Sequence, residues 1–352
     1  MRLFALLTGL LTSQPVAADP AEIFARVAEQ HSGMAIGMAY SVGGDAPTLL
    51  FAGKTHRNGV PVTADARWHI GSITKSMTAA LALTYVEDGT CDLDGPLGPY
   101  FREAPASGLW HATSLTTALS HTARLPTGFD RPVLDGPTIG RGPDDRIDRL
   151  NTMWDADPED VEPFAYNNVG YVYAAAALEQ ATGQDWEDLL RDRVLTPAGI
   201  RSAGFGAPQG EADPWGHRRR FGLYRAIDPT RDDADNPRWL GPAGTVHMTL
   251  ADLHRWAETL RAACDGRPAP ISQASCQTMT TPIAPGYGLG LIIQTMEDGD
   301  RFIWHSGSNT QWYAIMGFSP ERETSIAITV NHYVSAMADQ MLRDVIYHLS
   351  EG

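Results

Sequence analysis

The order of apolar and polar positions divides the chain into an opening helix and hairpin, a helical middle, and a second group of strands closed by a helix. Pro20 to Gln30 carries Ile23, Phe24 and Val27 at helical spacing, which predicts an amphipathic helix. Met34 to Val42 and Thr48 to Ala52 are short apolar runs on either side of Gly43-Gly44-Asp45-Ala46, the pattern of a β-hairpin. From Ser72 a run of good helix formers continues to about Glu87 and stops at Gly89. Residues 90 to 165 alternate short helical pieces with loops rich in Pro, Gly and Asp. Val169 to Thr182 is apolar on nearly every face, so this helix is expected to be buried. Residues 203 to 245 read as loop, and a helix starting at Thr249 or Ala251 runs through Leu260. Three strand-like runs follow, Phe302 to His305, Trp312 to Phe318 and Ser325 to Val330, with Ser319-Pro320-Glu321-Arg322 turning between the last two. A helix from Val334 to Leu349 closes the chain. The simplest packing brings both ends into one antiparallel sheet flanked by helices, with the helical middle inserted. That is an α/β (α+β) architecture, with one lobe from about 19–68 and 245–352 and a mostly helical lobe from about 69–244.

Residues 1–18 stand apart from this pattern. Arg2 is their only charge, Leu3 to Leu11 form a short apolar run, and Val16-Ala17-Ala18 offers a small-residue cleavage site before Asp19. They predict an export signal cleaved near Ala18 and a secreted or periplasmic protein. No other stretch approaches 18 uninterrupted apolar residues, so no stable membrane anchor is expected. A formal net charge of −15 argues against nucleic acid or an anionic membrane as partner and leaves a small-molecule or peptide substrate. The basic cluster Arg218-Arg219-Arg220 reads as solvated surface. Three cysteines suit an oxidising compartment. Cys264 and Cys276 flank a Gly/Pro-rich stretch across which a local bridge can form, and Cys91, among acidic residues, reads as structural. The eleven histidines show no HExxH or paired CxxC spacing, so neither a metal nor a cofactor is expected.

Two lysines stand against 25 arginines, and one of them, Lys75, follows Ser72 by three residues. Arginine keeps its proton at any useful pH, whereas a buried lysine can be made neutral and accept one. At this spacing both side chains face the same way, one turn apart on a helix. At a helix start the Ser72 backbone N–H is itself an unpaired donor, so nucleophile, proton acceptor and half an oxyanion hole fall within four residues. The plainer reading is a Ser N-cap and a solvated Lys, against which the apolar helix face around the pair speaks. Tyr166-Asn167-Asn168 immediately precedes the second strong helix. A tyrosine with its pKa depressed by a nearby ammonium can act as a base, and the amide two residues on can hydrogen-bond a substrate or Lys75. The plainer reading is an aromatic anchor and an Asn N-cap. His305-Ser306-Gly307 ends a strand-like run where a glycine would let a substrate approach. His69-Ile70-Gly71 has the same bare pattern.

In this order, the SxxK, YxN and HxG elements resemble those of the penicillin-recognising serine hydrolases, which include class C β-lactamases, D,D-peptidases, D-aminopeptidases and related esterases. Leu119-Ser120-His121-Thr122-Ala123-Arg124-Leu125-Pro126, Tyr166 to Tyr171, Gly241-Pro242-Ala243-Gly244, Gly286 to Gly290 and Val330-Asn331-His332 are also similar to segments of that family. The resemblance, over about residues 20 to 350, implies a β-lactamase/transpeptidase-like fold and an acyl-transfer mechanism. By that resemblance Ser72 is the acylated nucleophile, Lys75 its proton acceptor or relay, and Tyr166 the base that activates Ser72 and later water. Asn168 orients Lys75 and substrate, and His305 gives electrostatic and proton-relay support that depends on pH near neutrality. The backbone N–H groups of Ser72 and Ser308 form the oxyanion hole, with Gly307 and Gln311 on the substrate side. Two departures bear on substrate. A His stands where many relatives have the Lys of KTG, which is unusual for an efficient β-lactamase. Gln311-Trp312-Tyr313 is bulkier than the usual Gly-rich segment, and that strand carries no Arg or Lys to hold a substrate carboxylate; Arg124, in the helical lobe, is a candidate stand-in, but its plainer and favoured reading is a surface residue. The expectation is an exported serine hydrolase cleaving an ester or amide. The alternatives are a D,D-peptidase, D-aminopeptidase or weak β-lactamase, or a non-catalytic penicillin-binding-like ligand-binding module. Pocket shape is expected to come from the loops at 125–160 and 203–245.

Overall fold

A computed structural model of the chain describes residues 19–126, 142–154, 162–221 and 223–351. The expected export signal lies outside them, as do parts of the 125–160 loop region. In chain order the described strands are β1 (Ile36–Val42), β2 (Thr48–Ala52), β3 (Arg67–His69), β4 (Gly204–Phe205), β5 (His217–Arg220), β6 (Leu223–Ala226), β7 (Val246–Thr249), β8 (Ile292–Thr295), β9 (Arg301–Ser308), β10 (Tyr313–Ser319) and β11 (Thr324–Val330). Six of them form one antiparallel sheet in the order β2-β1-β11-β10-β9-β8. The two ends of the chain meet in it, with Ile36 opposite Val330 and Val42 opposite Thr324.

The sheet is covered on both faces, which is why β10 and β11 are buried along their whole length and read as continuous apolar runs. One face receives the helices Pro20–Gln30 and Ser335–Glu351, whose Ile23, Phe24, Met341 and Val345 pack with Ile36, Met38, Ile315 and Ile328. The other face carries the Leu250–Cys264 helix, which begins with Thr249 capping the Asp252 N–H, and leads into the large core of the helical middle. Two buried helices dominate that middle, Thr74–Glu87 and Val169–Thr182, the latter ending at Gly183 in the left-handed region. A small sheet, β3-β7-β4, joins the start of the first helix to the segment after residue 203.

Three local outcomes differ from or refine the sequence expectation. Residues 203–245 are not all loop: β5 and β6 pair as a hairpin, and Arg218 is ion-paired with Asp233 at 3.1 Å. Cys264 and Cys276 are joined in a disulfide across the predicted short loop, and Cys91 is buried and free, its thiol pKa raised chiefly by that burial. Ser72 lies in a 3₁₀ turn, Gly71–Ile73, rather than in the first turn of the α-helix that starts at Thr74. The reason is the sheet beside it. Gly71 sits at φ +52, and a Cβ there would lie 2.1 Å from Ser308 N, while a Cβ on Gly307 would lie 1.9 Å from Ile70 O. Only two glycines let the end of β9 and this turn touch backbone to backbone.

Candidate active site

That contact presents Ser72 to the sheet edge. The vacant Cβ position of Gly307 is 2.6 Å from Ser72 N, so the N–H groups of Ser72 and Ser308 are brought together although their segments are far apart in sequence. Ser72 itself is partly exposed, and its hydroxyl faces inward to the one buried ammonium-type group of the site.

Lys75 is fully buried, and its Nζ has three oxygen neighbours: Ser72 Oγ at 3.1 Å, Asn168 Oδ1 at 2.9 Å and the carbonyl of Ala243 at 2.6 Å. The last two can only accept. A neutral amine has two N–H bonds to give, and these two oxygens take both, which leaves its lone pair for the hydroxyl proton of Ser72. Burial, with no carboxylate among these partners, lowers the Lys75 pKa well below the ordinary lysine value. The Ala243 carbonyl comes from the short Gly241–Gly244 helix, which Thr78 also holds through Pro242 O at 2.7 Å.

The two asparagines before the second helix divide their tasks. Asn168 stands at the N-cap position but caps nothing; Asn167 Oδ1 instead accepts from Gly170 N at 2.8 Å. Asn168 Oδ1 is thereby left to Lys75. Tyr166 joins them at the nucleophile, its ring under Lys75 Nζ at 4.9 Å to the centroid. The expected depression of its pKa is corrected by the structure. Burial raises it above the usual phenol value, and the nearby Ser72 side chain is a smaller influence in the other direction. The ammonium that was to lower it is itself driven toward neutrality.

His305 is also reassigned. It is buried, and its pKa is pushed down to about 3, first by burial and then by the neighbouring Lys75, so it does not titrate near neutrality. Both its ring nitrogens are committed. Asn167 N donates to His121 Nδ1 at 3.2 Å, which puts the proton of a neutral His121 on Nε2, facing Tyr287 Oη at 3.1 Å. The Tyr287 hydroxyl is then free to donate to His305 Nε2, also at 3.1 Å, and His305 Nδ1 donates to Ser306 O at 2.5 Å. The result is a wire of fixed polarity behind Tyr166, whose ring is 4.2 Å from that of His121.

The other expected residues are placed as follows. Ser308 Oγ donates to Trp312 O at 2.6 Å and accepts from Thr310 N at 2.8 Å, closing the β9–β10 turn. Gln311 is buried rather than presented to substrate; its Nε2 donates to Asp233 O at 3.0 Å and so ties the turn to the 203–245 segment. Trp312 and Tyr313 are buried too, so the bulk that sets this segment apart is packed into the protein. Arg124 is exposed, in left-handed backbone at φ 57. Sequence reasoning missed His121, Tyr287 and the Ala243 carbonyl as members of the site. The signal was available, since all three lie in segments already matched to the family. Among the described residues no group of three or more His, Cys, Asp or Glu is arranged to hold a metal ion, and no helix is long and apolar enough to cross a membrane.

Comparison with known proteins finds relatives that match most of the chain. The profile of the Beta-lactamase family matches residues 24–350. Penicillin-binding protein 4 of Amycolatopsis lactamdurans is 31% identical over 338 residues, which span 88% of this chain and 84% of the relative. The D-alanyl-D-alanine-carboxypeptidase/endopeptidase AmpH of Escherichia coli (strain K12) is 27% identical over 269 residues, 72% of this chain and 66% of its own, just under two thirds. The D-amino acid amidase from Ochrobactrum anthropi SV3, solved with L-phenylalanine amide, superposes with a TM-score of 0.76 over 95% of this chain and 99% of its own at 21% identity. That likeness establishes the β-lactamase/transpeptidase-like fold.

Proposed function

The chain belongs to the Beta-lactamase family, and from that premise we propose that it is a serine hydrolase that works through an acyl-enzyme on Ser72 and cleaves an ester or amide bond. The observation that carries this reading is the set of partners around Lys75 Nζ, in which two acceptor-only oxygens leave its lone pair for Ser72 Oγ at 3.1 Å. In the first step Ser72 Oγ bonds to the substrate carbonyl carbon while its proton passes to Lys75. The carbonyl electrons move to oxygen, whose charge meets the N–H groups of Ser72 and Ser308. Collapse of the adduct expels the leaving group, which takes the proton back through Tyr166 or directly from Lys75. Water then attacks the ester, giving its proton to Lys75, and Ser72 is released reprotonated. Tyr166, held as a phenol by burial, serves here as a proton shuttle rather than as an ionised base.

The relatives' names suggest amides or peptides of D-amino acids as one substrate class, and the uncharged surroundings of Ser72 suit a neutral ester or amide. With Trp312 and Tyr313 packed inside, no observation favours a non-catalytic binding module. Export to the periplasm or medium belongs to the same proposal, supported by the pattern of residues 1–18 and by the Cys264–Cys276 disulfide. The test is the intact mass of wild type and Ser72→Ala after brief mixing with p-nitrophenyl acetate. An acetyl-sized gain in wild type alone is expected. No gain in folded wild type, or an equal gain in both, overturns the reading. Edman sequencing of the secreted protein should begin near Asp19.

A further inference from the structure

The nucleophile turn and the β9–β10 turn are joined by a second set of polar contacts that the proposed chemistry does not use. His69, fully buried at the end of β3, accepts from the Gly71 N–H at Nδ1 over 3.1 Å. Its proton must therefore be on Nε2, which faces Asp235 Oδ1 at 2.8 Å and Oδ2 at 3.0 Å. Asp235, from the 203–245 segment, also accepts from Asn309 Nδ2 at 2.9 Å and from Asn236 N at 2.7 Å. Asn309 in turn uses Oδ1 to accept the N–H groups of Gln311 and Trp312, at 3.2 and 3.3 Å. The His69 ring stacks on Trp312 with centroids 5.5 Å apart. One carboxylate thus braces the turn bearing Ser72 N–H against the turn bearing Ser308 N–H.

We propose that Asp235 and His69 are paired positioning residues that fix the separation and aim of the two oxyanion-hole N–H groups. The inference rests on the acyl-enzyme reading. Its physical basis is the one-way run of donors. In Asp235→Asn the negative charge is lost, and an N–H₂ in the Oδ2 place faces the Nε2–H of His69 at 3.0 Å. His69 Nε2–H then keeps only the oxygen in the Oδ1 place, and the N–H₂ beside it pushes the ring out of line with the Gly71 N–H, the residue before the nucleophile. In His69→Phe the ring and its stacking are kept, but the Gly71 N–H loses its acceptor. Either change disturbs a contact in which Gly71 and Ser308 already touch backbone to backbone.

Loss of one oxyanion-hole donor typically costs about 100-fold or more in turnover. Each variant should therefore acylate about 100-fold more slowly with p-nitrophenyl acetate, with KM nearly unchanged. Affinity for phenylboronic acid, which becomes tetrahedral on the serine, should fall by a similar factor. The double variant should be no worse than the worse single, since both act on one contact. His69→Phe carries the test if Asp235→Asn does not fold. Wild type that fails to acetylate at Ser72 removes the underlying reading, and this inference with it. Wild type that acetylates, beside variants within threefold of it, overturns this inference alone. Variants that lose stability and KM but hold phenylboronic acid as wild type does would make the pair merely structural, which also overturns it, as would additive losses in the double variant.

Discussion

Lys75→Met removes the one group at the centre of the site that can bind a proton while keeping an unbranched chain of similar length. An unfolded lysine holds its proton up to about pH 10.4. The folded Lys75, its pKa lowered well below that by burial, gives the proton up at lower pH. Between those two points the unfolded chain binds one more proton than the folded one, so wild-type stability rises with pH by about 1.4 kcal/mol per unit. Below the folded pKa both states are protonated and the slope vanishes; above about pH 10.4 neither is, and it vanishes again. Methionine has no such slope. Losing the bonds to Asn168 Oδ1 and Ala243 O leaves two acceptors unmade, at about 1–3 kcal/mol each. That cost is the same at every pH and moves the offset, not the slope.

Urea unfolding of both proteins at pH 6.5, 7.5, 8.5 and 9.5 gives the difference directly. His121 and His305, whose pKa values are both lowered, stay neutral across this range and cancel. The wild type should gain on the variant as pH rises, by about 1.4 kcal/mol per unit wherever the folded lysine is neutral, so that two units change the difference by about 3 kcal/mol. A difference flat from pH 6.5 to 9.5 would refute the reasoning, because it would mean that Lys75 keeps its proton when folded and cannot take one from Ser72.

Lys75→Arg keeps a positive charge but cannot accept a proton, and should lose about 100-fold or more in p-nitrophenol release; near-normal release would reduce Lys75 to a fixed charge. Gly307→Ala drives a Cβ to within 1.9 Å of Ile70 O, a backbone atom, and should cost about 1–3 kcal/mol in urea midpoint together with most of the acylation rate. Arg146→Ala leaves Glu179 and Glu187 as buried carboxylates without their shared partner and should destabilise by about 3–5 kcal/mol, read from thermal unfolding. Because His305 is neutral above about pH 3, the acylation rate between pH 5 and 8 should show no limb from it, and His305→Gln should change its level rather than its shape.

Periodicity made the long elements legible. Pro20–Gln30, the β1–β2 hairpin and the three C-terminal strands lie where the apolar spacing puts them, because each buries one stripe or both faces in the same sheet layer, and Val169–Thr182 does because it is enclosed by the helices of the middle. Ser72, Lys75, Tyr166 and Asn168 could be singled out because their spacing to helix starts is a local property. Ionisation was not legible, since it is set by what the fold excludes rather than by neighbours in sequence. Tyr166 and His305 were each expected to titrate usefully, and burial moves both away. Nor could the pattern tell which asparagine caps the helix, or that the bare His69-Ile70-Gly71 match lies beside the nucleophile while Asp235, over 160 residues on, holds it. The β5–β6 hairpin was hidden by composition, its strands rich in arginine rather than in β-branched residues.

The ionisable groups nearest Ser72 are shifted in one sense. Lys75, His121 and His305 are lowered, and Tyr166 and Tyr287 are raised, each first by burial, so the resting site tends toward no net charge. In the proposed reaction, a negative charge that develops on a substrate oxygen is then met by the N–H dipoles of Ser72 and Ser308 and by the lysine as it gains the serine proton. In a low-dielectric setting those fixed dipoles need no reorganisation as the charge forms. The same neutrality acts against a substrate that brings its own carboxylate, because among the described residues the partners of Ser72, His305 and Ser308 include no arginine to receive it. A carboxylate set down beside these groups would lose its hydration for little in return. An acyl group flanked by an ester, an amide or an apolar chain loses nothing comparable, and this is the ground on which the proposed function favours neutral esters and amides over peptides ending in a free carboxylate.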